Sequence, residues 1–127
     1  MNLKKRKAND MDINEIVSIQ KNFDRMHKSN FNWNEIITDE NTEMLKYLMV
    51  CLAGEFGETA NIVKKVIRGD FKLSEVKSQL SEEIIDIFIY LIKLTYQLNI
   101  DIESEFMAKQ KKNTERFKKY EMGLDNE

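Results

Sequence analysis

The chain has 127 residues, a formal net charge of −2, 33% charged and 42% hydrophobic residues. That length fits one domain with its own core, and the balanced charge gives no overall basic field of the kind that binds nucleic acid. Proline is absent and only four glycines occur, which is typical of an all-α protein.

Nothing in the sequence points to a membrane or a secreted setting. No stretch is apolar over the ~20 residues that a membrane span needs. The basic run at residues 4–7 lacks the apolar segment that follows it in a secretory signal. The lone Cys51 lies in a helical pattern, which indicates a small buried hydrophobe and a reducing, cytoplasmic location. We expect no membrane association and no stable nucleic-acid binding.

The chain divides into a basic flexible arm at residues 1–11, one domain at 12–121 and an acidic tail at 122–127. A helix is predicted to begin at Asp12, with Glu15 completing a capping box, and to end near His27. Its inward stripe is apolar except for Gln20, which is either a satisfied core amide or a contact to a ligand.

The segment at residues 31–37 has no clear period and reads as a loop laid over the helices. It carries the only tryptophan, Trp33. Aromatic residues in loops usually anchor the loop to the core, but a flat indole beside a charged site can also stack on a nucleotide base.

Two long helices follow. One is predicted from Thr38 or Asn41 to Gly69, and the next from Ser74 or Ser78 through Leu94. The apolar positions expected to form the inward stripe of the first are Met44, Leu45, Leu48, Met49, Leu52, Phe56, Ala60, Val63 and Ile67. Residues 84–94 are apolar on almost every side, so we expect part of this helix to lie in a subunit interface.

The last helix is predicted over residues 102–120, with Asp101 as its N-cap. Lys109, Asn113 and Arg116 follow at i, i+4 and i+7, so they share one face. Such a stripe is either a solvated face or a site for phosphate oxygens.

The two long helices carry paired carboxylates. Glu55 and Glu58 are three residues apart, as are Glu83 and Asp86. The midpoint of Glu58 and Glu83 is position 70.5, as is that of Glu55 and Asp86, and this position adjoins the turn at residues 68–70. If the chain reverses there, helices rising ~1.5 Å per residue bring the two pairs to the same height. The sequence therefore predicts that four acidic groups converge.

Four facing carboxylates repel one another unless they are protonated or bind a cation. Carboxylate ligands without His or Cys suit magnesium or manganese rather than zinc. The alternative is that these are ordinary exposed positions on amphipathic helices. Apolar and small neighbours around both pairs favour the cluster.

These residues carry a resemblance to a known family. Gly54-Glu55-Phe56-Gly57-Glu58, 24 intervening residues and Glu83-x-x-Asp86 resemble the E-x-x-E, spacer, E-x-x-D signature of the all-α nucleoside triphosphate pyrophosphohydrolases, the MazG and dCTP pyrophosphatase group. Ile100-Asp101 with Lys109, Asn113, Arg116 and Phe117 resembles the pattern that closes the family domain. The resemblance covers residues 13–120, and Gly54 places the chain nearer the dCTP pyrophosphatase type.

The resemblance implies an oligomeric bundle of four to five helices, a homodimer or homotetramer. It implies a hydrolase that converts a nucleoside triphosphate, such as the pyrimidine deoxynucleotide dCTP, to the monophosphate and pyrophosphate in nucleotide-pool cleansing. Glu55, Glu58, Glu83 and Asp86 would hold Mg²⁺, for which Mn²⁺ can substitute, and Glu55 or Glu58 would activate the water. The expected substrate contacts are Gln20, Trp33, Lys65, Tyr90, Lys109, Asn113 and Arg116.

Two other functions stay open at this point. One is a dUTP/dUDP hydrolase of the related dimeric type, which uses the same carboxylate arrangement. The other is a non-catalytic helical oligomerisation or interaction protein, in which the carboxylates are structural and the apolar helix serves assembly.

Overall fold

The computed structural model of the protein describes residues 10–27 and 32–121. Four α-helices follow in order: α1 (Ile13–Met26), α2 (Thr42–Arg68), α3 (Leu73–Gln97) and α4 (Ile102–Arg116), with a short 3₁₀ turn at Lys118–Tyr120. The described residues contain no strand, so the all-α prediction is confirmed for them. The predicted acidic tail and most of the predicted basic arm lie outside the described residues.

The helix ends follow local capping chemistry. The Asp12 carboxylate accepts the Glu15 backbone N–H at 2.8 Å, as predicted for the start of α1. Helix α3 begins at Leu73, one residue before the first of the two predicted starts, and the Glu75 carboxylate accepts the Lys72 N–H at 2.8 Å in its first turn. Helix α4 ends four residues earlier than predicted, where the last turn tightens into the 3₁₀ segment.

Helices α2 and α3 form an antiparallel hairpin around Gly69. Gly69 has φ +90°, a left-handed conformation that side chains disfavour and glycine adopts freely. The Asp70 N–H then donates to the Lys65 carbonyl at 2.9 Å, which closes the end of α2. The predicted reversal is therefore present, and it puts α2 and α3 side by side.

The buried apolar core of the described residues is small. It consists of Met44, Leu48, Ile62, Val76, Ile92 and Tyr96. Met44 and Leu48 were predicted correctly. The prediction that five other residues of α2 point inward is wrong, because all five are exposed: Met49, Phe56, Ala60, Val63 and Ile67. Helix α2 has two apolar faces, and the face meeting α3 is the one that continues through Ile62.

The remaining segments attach to the hairpin mainly through polar groups. The Ile37 N–H donates to the Gln97 carbonyl at 2.7 Å, and the Gln97 amide donates to the Glu35 carbonyl at 2.9 Å. Residues 32–37 form an irregular segment held against the end of α3, as predicted. Helix α4 packs against α1, where the Asn14 amide donates to the Glu103 carboxylate at 3.0 Å.

Across the described residues, no helix combines the length and apolar character needed to cross a bilayer.

Candidate functional site

Three carboxylates meet midway along the α2–α3 hairpin. Glu55 and Glu58 of α2 and Glu83 of α3 each offer one oxygen, and these three oxygens lie within 4.8 Å of one another. The antiparallel reversal at Gly69 produces this meeting, because Glu58 and Glu83 stand at equal distances along the chain from the turn. The structure therefore brings together three of the four predicted acids.

Asp86 does not belong to that group of three, so the group includes three of the four acids that were predicted to converge. It is nevertheless close enough for its charge to raise the pKa of both Glu55 and Glu83. Asp86 is half-buried and lines a cavity of about 410 Å³ with Ser81, Glu82 and Ile85. It lies one helical turn beyond Glu83, at the edge of the group rather than within it.

The group is electrostatically unfavourable without a cation. Burial raises the pKa of Glu55 above its ordinary value, and the negative charges of Glu58 and Asp86 raise it further. Burial is also the main cause that raises the pKa of Glu83, followed by its contact with Glu58. Two carboxylates share a hydrogen bond only when one is protonated, so the contact with Glu58 opposes ionisation.

Two oxygens of the group have no partner. The Oε2 atoms of Glu55 and Glu83 are buried and receive no hydrogen bond from the described residues. A buried carboxylate oxygen without a donor is costly, and either a proton or a cation removes that cost. Three carboxylates without His or Cys are the donor set that a hard cation such as Mg²⁺ prefers. The residues present therefore fit such an ion.

An aromatic cluster, formed by Trp33, Tyr47 and Tyr90, lies next to the carboxylates. Burial and the neighbouring Cys51 raise the pKa of Tyr90 to about 12, and the Glu55 charge contributes. The contact with Cys51 also raises the pKa of Tyr47. The Trp33 and Tyr47 rings are 6.0 Å apart. Because Cys51 precedes Glu55 by one helical turn, the cluster continues the seam on which the carboxylates lie.

The interpretation of Cys51 as a buried hydrophobe needs correction. The residue is half-buried, and its thiol contacts the hydroxyl groups of Tyr47 and Tyr90. It lies on the same face of α2 as Leu48 and Glu55, which turns toward α3. Cys51 is thus a polar neighbour of the aromatic cluster.

A buried ionic network joins α1 to α3 beside the aromatic cluster. Asp24 is 1% exposed and Lys93 is 8% exposed. The Lys93 Nζ is 3.3 Å from Asp24 Oδ1, which also accepts the Gln20 amide at 2.9 Å. The Tyr96 hydroxyl donates to Asp24 Oδ2. Gln20 therefore serves as a satisfied structural amide, one of the two interpretations left open by the sequence.

Sequence reasoning missed this network, although a signal was present. Asp24 follows Gln20 by four residues and therefore lies on the same face of α1, although the predicted inward stripe did not include it. A second polar residue on that face indicates a buried partner. Lys93 is a charged residue within the otherwise largely apolar stretch at residues 84–94. Its partner lies 69 positions earlier, and periodicity carries no information about such a pairing.

The other predicted substrate contacts lie away from the carboxylates within the protomer. Lys65 is exposed, two helical turns beyond Glu58, and lines a separate cavity of about 400 Å³. Lys109 and Arg116 are exposed and Asn113 is half-buried on α4, whose main packing partner is α1. The charges that shift the pKa of Glu55 and Glu83 are all carboxylates.

A further cavity is also distinct from the carboxylates. It measures about 620 Å³ and lies between α1 and the segment after it, with no predicted site residue in its wall. Its lining consists of Ser18, Ile19, Lys21, Asn22, Arg25, Asn34, Ile36 and Tyr96.

Comparison with protein-family models, with curated proteins and with solved structures gives no match to this chain.

Proposed function

We propose that the protein is a Mg²⁺-dependent nucleoside triphosphate pyrophosphohydrolase. Its substrate would be a pyrimidine deoxynucleoside triphosphate such as dCTP, cleaved to the monophosphate and pyrophosphate in nucleotide-pool cleansing in the cytoplasm. One observation carries the proposal: the unpartnered buried oxygens of Glu55 and Glu83 meet the Glu58 carboxylate on the α2–α3 hairpin. The order and spacing of the motifs that resemble the MazG and dCTP pyrophosphatase group support the same reading.

The burial and position of each residue indicate its proposed role. Glu55, Glu58 and Glu83 would hold Mg²⁺ or Mn²⁺. Asp86, one helical turn after Glu83, would be the fourth ligand. When bound, the metal neutralises phosphate charge and lowers the pKa of a bound water. Glu58 is the exposed member of the three, so its carboxylate is the one best placed to orient the attacking water and accept its proton.

The aromatic cluster is the proposed binding surface for the nucleotide base. Trp33 and Tyr90 offer ring surfaces on which a pyrimidine stacks. Cys51, which contacts Tyr90, lies one helical turn from Glu55 along α2. A triphosphate also needs cations for its oxygens. Lys109 and Arg116, with Asn113, remain the proposed contacts, and because α4 packs on α1 they would reach a phosphate in an assembly of chains.

Assembly is the second part of the proposal. Helices α2 and α3 leave large apolar side chains exposed, including Phe56 at 65% and Ile67 at 82%. On α3, Ile84, Ile85 and Leu91 are also exposed, within the stretch expected to lie in an interface. Apolar faces of this extent on two packed helices favour association with further copies of the chain. We propose a homodimer or a homotetramer.

The test is release of pyrophosphate and phosphate, with Mg²⁺ and with a chelator, across the canonical dNTPs, dUTP, dUDP and the rNTPs. Pyrophosphate and a monophosphate from one or a few triphosphates, abolished by chelation, is the expected result. Turnover of dUTP and dUDP alone would favour the dUTP/dUDP hydrolase. An absence of metal-dependent turnover would favour the oligomerisation protein.

Two variants and one control separate catalysis from folding. Glu58→Gln and Glu83→Gln are expected to abolish turnover and weaken Mn²⁺ binding in calorimetry while the helical circular dichroism spectrum is retained. Glu82→Gln removes an exposed carboxylate immediately beside Glu83 and is expected to behave as wild type. Equal activity in all three variants would overturn the assignment of the metal ligands.

A further inference from the structure

Asp24 is a buried carboxylate whose position is determined by three donors. The Gln20 amide at 2.9 Å and the Lys93 ammonium at 3.3 Å share Oδ1, and the Tyr96 hydroxyl donates to Oδ2. A buried ion pair is retained only when such additional hydrogen bonds offset the desolvation of both charges. The ammonium of Lys93 is therefore held in one place rather than free to sample rotamers.

That place is between two rings of the aromatic cluster. The Lys93 Nζ lies 4.7 Å from the centre of the Trp33 ring and 5.2 Å from the centre of the Tyr90 ring. Both distances are within the ~6 Å range of a cation–π contact, and such contacts strengthen when the cation is removed from water, as it is here. Lys93 thus links the irregular segment that carries Trp33 to helix α3, which carries Tyr90.

The Trp33 backbone is attached to the same network. The Tyr96 hydroxyl lies 3.3 Å from the Trp33 carbonyl, so one residue contacts both Asp24 and the segment that bears the indole. The ring and the main chain of Trp33 are consequently both held from α3. A loop residue with two such attachments loses much of the conformational freedom that it would otherwise have to lose on binding a ligand.

We propose that Lys93, anchored by Asp24, is a positioning residue whose ammonium contacts both the Trp33 and Tyr90 rings, holds the indole in place and so shapes the base-binding side of the nucleotide site. This inference rests on the proposed function for the identity of the ligand. The placement of Trp33 does not depend on the proposed function, because it is a property of the protein without ligand. Lys93 acts through the two rings and has no contact with the carboxylates that would carry the reaction.

The chain supplies its own probe, since Trp33 is the only tryptophan. Tryptophan emission and its quenching by acrylamide are measured for wild type, Lys93→Met and Lys93→Arg. Lys77→Met serves as control, because Lys77 is an exposed lysine on the same helix. A double variant, Asp24→Asn with Lys93→Met, removes both charges and so avoids leaving an unpaired carboxylate buried.

Lys93→Met and the double variant are both expected to shift the Trp33 emission and increase its quenching. Lys93→Arg should restore the wild-type signal, because a guanidinium also stacks on an indole. In turnover, we expect Lys93→Met to raise KM for the nucleotide about three- to tenfold with little change in kcat, the range that one cation–π contact supports. Glu58→Gln, in contrast, is expected to lower kcat.

Two results would overturn the inference. One is Trp33 emission and quenching in the double variant equal to those of wild type, which would assign any effect of Lys93→Met to the uncompensated Asp24 charge. The other is a loss of kcat with unchanged KM in Lys93→Met. If wild type hydrolyses no nucleotide, the proposed function fails and the base-binding part fails with it, while the fluorescence series still decides whether Lys93 positions Trp33.

Discussion

At the scale of single residues, ionisation of the carboxylate group destabilises the folded protein. Glu55 and Glu83 both have a raised pKa, caused first by burial and then by neighbouring carboxylates. A raised pKa means that the folded chain holds the proton more tightly than the unfolded chain does. The folded state is therefore favoured while the group is protonated, and it loses that advantage as pH rises through the raised pKa.

The metal-free protein is accordingly expected to become less stable as pH rises above the ordinary glutamate value of 4.5. Glu55→Gln should flatten this part of the profile, because its amide carries no charge at any pH, whereas Glu82→Gln should leave it unchanged. Saturating Mg²⁺ should raise the melting temperature most at neutral pH, where the carboxylates are ionised. The measurement is thermal unfolding between about pH 4 and 8. A profile that rises with pH would contradict the assignment of like-charge repulsion.

The Asp24 network supplies a second residue-scale prediction. The Tyr96 hydroxyl is a buried donor, and both burial and its hydrogen bond to Asp24 raise its pKa far above the ordinary value. Tyr96→Phe removes that donor and leaves Oδ2 of a buried carboxylate unsatisfied. We expect a loss of about 1–3 kcal/mol in the free energy of unfolding.

Urea unfolding measures that loss, and Tyr120→Phe is the matched control because Tyr120 is 67% exposed. An equal effect of the two substitutions would show that the Tyr96 hydroxyl contributes nothing specific. A much larger loss in Tyr96→Phe, with altered Trp33 emission, would indicate that the whole segment after α1 had detached.

At the scale of the helices, the ends are determined by nearby residues and the packing by distant ones. The N-cap residues Asp12 and Asp101 each accept a backbone N–H within the first turn, from Glu15 at 2.8 Å and from Ser104 at 2.9 Å. Helix α4 depends most on its cap, because none of its residues is buried in the protomer. Local hydrogen bonds are then a larger share of what holds the helix.

Asp101→Ala is therefore expected to loosen α4 and to lower the melting temperature by about 2–5 °C, while Asp101→Asn, which keeps a capping oxygen, should lower it less. The Ser104 N–H is the main cause that lowers the pKa of Asp101. The stabilisation by the carboxylate is present above the ordinary Asp pKa and is lost as pH falls through the lowered value. Hydrogen exchange of the α4 amides is the direct measurement. Unchanged protection in Asp101→Ala would show that tertiary contacts, not the cap, hold this helix.

At the scale of the whole molecule, the protomer buries few of its large apolar side chains. The core of six apolar residues is small beside the exposed apolar faces of α2 and α3. A monomer with such faces has a strong driving force to associate, since each buried Å² of apolar surface contributes roughly 25 cal/mol.

Phe56→Glu places a charge on the exposed apolar face of α2 and is expected to reduce the assembly toward monomer in light scattering coupled to size-exclusion chromatography. Asn61→Glu adds the same charge at an exposed polar position of the same helix and should not change the mass. If assembly brings the α4 stripe to the carboxylates, Phe56→Glu should lower turnover in parallel with the loss of assembly. A monomeric wild type would contradict both parts of this prediction.

The sequence by itself determined the elements and the register of the hairpin. Apolar periodicity, the two N-cap aspartates and Gly69 are local signals, and the equal spacing of Glu58 and Glu83 from the turn needs only the rise of a helix. The meeting of Glu55, Glu58 and Glu83 was therefore predictable from the sequence alone.

Only the tertiary structure decided which helix faces are buried against other helices. Helix α2 has two apolar faces, and the sequence favoured the one through Phe56, which is exposed, over the one through Ile62, which is buried. Asp86 was predicted to join the other acids because it shares a helix face with Glu83, but it lies outside the group of three. The pairing of Asp24 with Lys93 likewise depends on the packing of α1 against α3. Periodicity describes each helix about its own axis, whereas covering, rotation and buried pairing depend on contacts between residues far apart in the chain.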